Sequence, residues 1–193
     1  LRKAKDSLPE LPAAKAARFE QELGLQESAA LFLSTDSEWS DFFEAVNEAS
    51  DAEPRTVANW VTGEFSAELR RQEDQELSDT RVTAASLAVL IDLVSSKKIS
   101  HGSGKTVLET MVAEGADPAA IVEEQGLEQI SDSGELEKIV AGVIEANPKP
   151  AEQVRSGNEK AIGALVGAVM RETKGRADGG EVTRLLREAL GLG

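Results

Sequence analysis

One apolar pattern occurs three times between residues 136 and 190, and it constrains the fold more than any other feature. Leu136, Ile139, Val140, Val143 and Ile144 stand at i, i+3, i+4, i+7 and i+8. Ile162, Leu165, Val166, Val169 and Met170 repeat the spacing, and Val182, Leu185, Leu186, Ala189 and Leu190 repeat it again. A period near 3.6 residues gathers each set into one stripe along an amphipathic helix. Three short helices with one greasy stripe each must bury those stripes against one another. The pattern therefore predicts a compact three-helix tail domain over 131–193, about 60 residues and so small but feasible. The punctuation agrees. Asp132 and Glu135 have capping-box spacing, Asn147-Pro148 stops the first helix, and Gly175 after Lys174 ends the second.

Residues 1–130 read as a helical domain that connects to this tail. Ala16, Phe19 and Leu23 share a face, and Gly24-Leu25 stops that helix. "SDFFEAVNEA" is a second helix, and Pro54 opens a third with Val57, Trp60, Val61, Phe65 and Leu69 along one side. "DQELSDT" (74–80) is a polar loop, and Asp117-Pro118 caps and opens a short helix that ends at Gly126. "SLAVLIDLV" (86–94) suits either a buried strand or a helix. Leu87, Leu90, Ile91 and Val94 fall at helical spacing and no second strand stands ready to pair, so helix is favoured. No period of roughly 20–50 residues recurs, which excludes a solenoid. The expected fold class is all-α: a helical domain followed by a small three-helix tail domain.

The stretch "KKISHGSGKTVLETM" (97–111) imitates a phosphate-binding loop. A Walker-type loop needs a glycine five residues before its Gly-Lys-Thr, to turn backbone N–H groups toward phosphate. Ile99 occupies that position, no parallel sheet presents the loop, and no apolar run ends in a metal-binding aspartate. The run reads instead as a loop between two helices, with Ser103 as N-cap of the second.

Composition excludes whole classes of chemistry. The 193 residues contain no cysteine, which removes disulfides, thiolate nucleophiles and zinc–thiolate sites. The single histidine, His101, lies in a polar stretch with no second histidine near it, an exposed side chain rather than a metal ligand. Trp39 and Trp60 fall on apolar faces and read as core. Glu123-Glu124 and Glu73-Asp74 lie in runs of like charge and read as solvated surface. No nucleophile–base constellation survives. No apolar run reaches the roughly 20 residues that span a bilayer, and no charged-then-apolar leader opens the chain, so a cytoplasmic protein without membrane contact is expected. The opening "LRKAKDSLPELP" starts on Leu1 and reads as mid-chain sequence, so a fragment is expected.

Net charge is −14, but the charge is uneven. Residues 149–193 carry eight basic side chains against six acidic ones, which leaves −16 on the first 148 residues. A basic end on an acidic body makes overall pI a poor guide to partners.

"ANWVTGEF" (58–65), "KIS" (98–100) with Lys105 and "VLETM" (107–111), "EGADPAAIVEEQGLEQISDSGELEKIV" (114–140), "NPKPAEQVRSGNEKAIGALVGAVMRETKGRAD" (147–178) and "VTRLLREAL" (182–190) together resemble the GatB/YqeY family. The densest block is 114–178. "LPELPAAKAARFEQELGL" (8–25) and "ALFLSTDSEWSDFFEAV" (30–46) resemble the GatB helical region, which stand-alone YqeY proteins lack. The resemblance is thus to the C-terminal part of the GatB-type amidotransferase chains of that family. It implies a complex that phosphorylates the side-chain carboxylate of Asp or Glu carried on tRNA(Asn) or tRNA(Gln), then replaces the phosphate with ammonia released from glutamine by a companion chain, GatA. ATP and magnesium are implied for a large N-terminal domain outside this chain. No catalytic residue or cofactor is expected within it. The A and C subunits of the amidotransferase are implied as partners through that same N-terminal domain.

The resemblance also implies that the tail holds tRNA from the side of its elbow. The candidate tRNA-binding residues are Lys160, Gly163, Arg171, Lys174, Arg176, Arg184 and Arg187. Phosphate contacts need lysine and arginine on a shared face. Read without the resemblance, the same cations, interspersed with acids, suit a solvated surface. Gly163 and Gly167 stand at G-x-x-x-G spacing. Tight helix–helix packing is the first reading of such a pair, and close approach of RNA backbone is the second. A helical protein-interaction domain without RNA contact is the alternative function.

Overall fold

The computed structural model describes residues 10–72, 76–130 and 133–192. Asp132 of the capping-box pair, the Glu73-Asp74 pair and the first part of the 74–80 loop lie outside the described residues. Among the described residues there is no strand, only an isolated antiparallel bridge between Ile99 and Glu128. The chain is all-α. Its helices form two compact units.

The first unit takes the described residues up to Ser95 together with Lys105–Ile121. Helix α1 (Pro12–Leu23) begins with proline at its first position and ends on Gly24, whose φ of 64° lets Leu25 N–H reach back to the Phe19 carbonyl. Helices α2 (Glu27–Thr35) and α3 (Ser37–Ala49) follow, the latter capped by Asp36 Oδ1, which accepts from Glu38 N–H at 2.8 Å. Phe19 and Phe43 meet edge to face at 5.3 Å between ring centres.

A single rod then runs as α4 (Pro54–Asn59), a π-helical stretch over Trp60–Phe65, and α5 (Ser66–Arg71). The π stretch resolves a conflict within the sequence. Val57, Trp60, Val61, Phe65 and Leu69 are all buried. In a regular α-helix each four-residue step turns the face by about 40°, so Phe65 and Leu69 would drift off the core side. The wider π turn takes up that drift. Thr62 and Ser66 hydroxyls donate to the Ala58 and Thr62 carbonyls at 2.8 and 2.6 Å across the widened turns.

Helix α6 (Ala84–Ser95) is the ambiguous apolar run, and it is a helix with Leu87, Leu90 and Ile91 buried. Thr83 and Ser86 cap its start reciprocally, each side chain accepting from the other's N–H at 3.1 and 3.0 Å. α7 spans His101–Glu114 and α8 spans Pro118–Gln125. Asp117 Oδ1 accepts from Ala119 and Ala120 N–H at 3.0 and 3.1 Å.

The second unit takes Ser96–Gly104 and the described residues from Val122 onward. The three striped segments are α9 (Ser133–Ala146), α11 (Ile162–Glu172) and α12 (Gly179–Ala189). Their inward residues, among them Leu136, Val140, Leu165, Val169, Val182 and Leu186, form one core. A further short helix, α10 (Pro148–Arg155), lies between the first two stripes and adds Ala151 and Val154 to that core. The proline that stops α9 also starts α10, since a first helical position needs no N–H donor.

Candidate nucleic-acid interface

α11 is preceded by a 3-10 turn (Glu159–Ala161) and ends in an unusual corner. Lys174 and Gly175 both adopt the left-handed region, with φ of 52° and 76°. Gly175 N–H returns to the Met170 carbonyl at 2.8 Å and closes the helix. With roughly 3.6 residues per turn, positions 163, 167 and 171 fall on one side of α11, with Lys160 in the 3-10 turn before it and Lys174 in the corner after it. That side faces away from the core built by Leu165 and Val169.

Gly163 is exposed, and a Cβ built on it would meet nothing within 4 Å. At Gly167 such an atom would meet only Arg171 Nη1, at 3.6 Å. The helix-packing reading of the glycine pair is therefore overturned. No atom of another helix comes within 4 Å of a Cβ placed at either residue. The glycines instead leave a low surface over which the Arg171 side chain folds back. Lys160, Arg171 and Lys174 are exposed and make no ion pair with a described carboxylate. Beside this face, α9 and α11 border an open groove of about 600 Å³ lined in part by Lys138, Gly142, Asn147, Ala168, Arg171 and Glu172. Lys138 precedes the basic segment 149–193 and so was not among the sequence candidates. Its place within a stripe helix was the available signal.

The remaining candidates stand apart. Arg176 is half-buried and its Nε donates to the Thr173 carbonyl at 3.4 Å. Arg184 forks onto Glu181 at 2.9 and 2.7 Å and reaches Glu188 at 2.9 Å. That fork holds the Glu181 carboxyl below the ordinary carboxylate range and raises the Arg184 guanidinium further. Its contribution to stability is present above the ordinary carboxylate pKa and is lost as pH falls through the lowered value. Both groups are solvated, so salt screens it. Arg187 Nη1 lies 3.4 Å from Glu159.

The glycine run at 101–106 is not a phosphate cradle, and it is not a loop either. His101 begins α7, so Gly102 and Gly104 lie in its first turn. The cap is Ser100, not Ser103: Ser100 Oγ accepts from Ser103 N–H at 3.0 Å, and Gly104 N–H goes to the Ser100 carbonyl at 2.9 Å. Those amides are spent within the helix end. Lys105 pairs with Glu64 at 3.1 Å. Among the described residues no group of His, Asp and Glu is arranged to hold a metal ion, and no helix is long and apolar enough to cross a membrane.

Comparison with known proteins adds the lineage. The chain is 45% identical over 186 residues to the B subunit of the aspartyl/glutamyl-tRNA(Asn/Gln) amidotransferase from Caldanaerobacter subterraneus subsp. tengcongensis, covering 95% of this chain and 38% of that protein. It is 44% identical over 185 residues to the protein of the same name from Geobacillus kaustophilus, covering 96% of this chain and 38% of the relative. Against that of Enterococcus faecalis it is 39% identical over 190 residues, covering 98% and 40%. The chain thus spans well under half the length of these relatives. The family described as GatB domain matches residues 41–190, across both units. The chain belongs to the GatB domain family.

Proposed function

We propose that this chain grips folded tRNA for a longer amidotransferase polypeptide, orienting it toward chemistry done elsewhere. The observation that carries the reading is the outward side of α11. Lys160, Arg171 and Lys174 stand without described carboxylate partners around Gly163 and Gly167, in a chain whose net charge is −14. Each phosphate neutralised by such a cation releases condensed counterion. A surface of glycine, without base-reading side chains, suits recognition of RNA by shape and backbone. Arg176 at the adjoining corner extends the same footprint, and Arg184 and Arg187 contribute to it only after leaving their glutamates.

The full-length protein, in this reading, converts Asp-tRNA(Asn) or Glu-tRNA(Gln) to the amidated forms, with ATP and magnesium bound outside this chain and with the A and C subunits as partners. The 101–106 run does not fit the phosphates of ATP, because the Ser103 and Gly104 amides close a helix end and Lys105 is paired. What the chain supplies is position. Holding the tRNA body fixes where its acceptor end travels, and orientation of that kind lowers a barrier without any contact to the reacting atoms.

The test is tRNA affinity of the chain against salt concentration. Binding is expected to weaken with a log–log slope of about −3, as for three or four phosphates. Lys160→Glu with Arg171→Glu is expected to cost at least about 10-fold and to flatten the slope by about 2 units. Equal binding by parent and double variant would reject the α11 face and leave a helical protein-interaction domain as the reading.

A further inference from the structure

Only two non-glycine residues among those described have positive φ, and both are lysines: Lys97 at 60° and Lys174 at 52°. The left-handed region crowds an L residue's Cβ against its own backbone, so glycine or asparagine commonly fills it. Each lysine opens a stretch that is fastened to the other's. The Ser100 hydroxyl donates to the Gly175 carbonyl. Gln129 N–H donates to the Lys98 carbonyl at 2.8 Å, and the next amide, Ile130 N–H, donates to the Arg176 carbonyl at 3.2 Å. Ile99 bridges to Glu128. Residues 97–100 and 174–176 are thus tied to the same short segment, 128–130, within the second unit.

This fastening uses backbone groups and one serine. It leaves the three lysine side chains unused, while Arg176 Nε reaches the Thr173 carbonyl. Lys97, Lys98 and Lys174 are exposed, Arg176 is half-buried, and none of the four pairs with a described carboxylate. The acids nearby are otherwise engaged or marginal. Asp178 Oδ1 caps α12 through Glu181 N–H at 2.9 Å. Glu181 is held in the Arg184 fork. Glu128 sits in the bridge with its side chain exposed. The Glu181 carboxyl is lowered first by its hydrogen bonds from Arg184 and last by the more distant charge of Lys97.

A corner that needs only positive φ is better served by glycine. Lysine at both corners points to side chains wanted for something other than the fold. We propose that Lys97 and Lys98 form, with Lys174 and Arg176, a second phosphate-contact site, so that a bound RNA backbone runs from the α11 face across the 174–176 corner onto the 97–98 turn. The proposal rests on the tRNA reading above. Lys174 belongs to both clusters and makes them continuous, and a line of cations suits a phosphodiester chain better than a single anion.

The experiment uses the full chain and three variants: Lys97→Gly, Lys98→Glu, and Arg171→Glu as reference. Thermal midpoint and tRNA affinity across salt are measured for each. Lys97→Gly is expected to keep or raise the midpoint, because glycine fits the corner, yet to weaken tRNA binding about 3- to 10-fold with a slope flatter by about 1 unit. Lys98→Glu, on a corner residue without strain, is expected to weaken binding at least as much. Both variants binding as the parent does, while Arg171→Glu binds more weakly, overturns this inference and leaves the tRNA reading intact. All three binding as the parent does rejects the tRNA reading itself, and this inference with it.

Discussion

At the scale of single residues, Gly163 and Gly167 separate a structural demand from a functional one. Neither has a neighbour that a methyl group would displace, and neither needs positive φ. Alanine at either position should therefore favour the helix, stabilising the chain by about 0.4–1 kcal/mol in denaturant unfolding. Should RNA backbone lie on this face, Gly163→Ala will weaken tRNA binding although it strengthens the fold. Greater stability with unchanged tRNA affinity would mean that the glycines are unrelated to RNA. The spacing of these glycines was plain in the sequence, but its meaning was not. A G-x-x-x-G pair says that one helix side is bare, and whether a helix or solvent covers it depends on chain far away. The arginines make the same point. Arg171 and Arg184 look alike as arginines on short amphipathic helices, yet Glu181 and Glu188 occupy the second and leave the first open.

At the scale of elements, periodicity carried most of the information. The stripes of α9, α11 and α12 and the helix of "SLAVLIDLV" follow from side chains a few residues apart, so they are legible without tertiary knowledge. Legibility failed where an element's limits depend on something distant. α10 lies behind a proline that reads as a stop, and the burial of Ala151 and Val154 is what recruits it. The π stretch exists because five residues must share one buried side. α7 starts earlier than the glycines suggest because Ser100 is fixed from two directions, by Ser103 N–H and by the Gly175 carbonyl. Ser100→Ala should accordingly cost about 1–2 kcal/mol, above a typical lone cap, and read as an earlier unfolding midpoint. A loss below about 0.5 kcal/mol would show that neither bond contributes to folding.

At the scale of the whole molecule, charge is segregated along the chain rather than mixed. The acidic excess lies before residue 149, and the cations of the α11 face and its corner belong to the second unit. Such a molecule repels polyanions over much of its length, so under the tRNA reading proposed above weak, salt-sensitive binding is expected rather than general adhesion to nucleic acid. The same view separates binding from catalysis. Calorimetry of the chain with ATP and magnesium should give no binding heat, whereas appreciable heat would revive a nucleotide site at 101–106. The sequence by itself determined the helical class, the three stripes and the family likeness, because these depend on local spacing and on residue identity. Only the tertiary structure decided which side of α11 is bare, which arginines are neutralised, and that the turns at Lys97 and Lys174 are fastened to one segment. Each of those outcomes depends on which distant groups come within a few ångströms, and periodicity along a chain carries no such information.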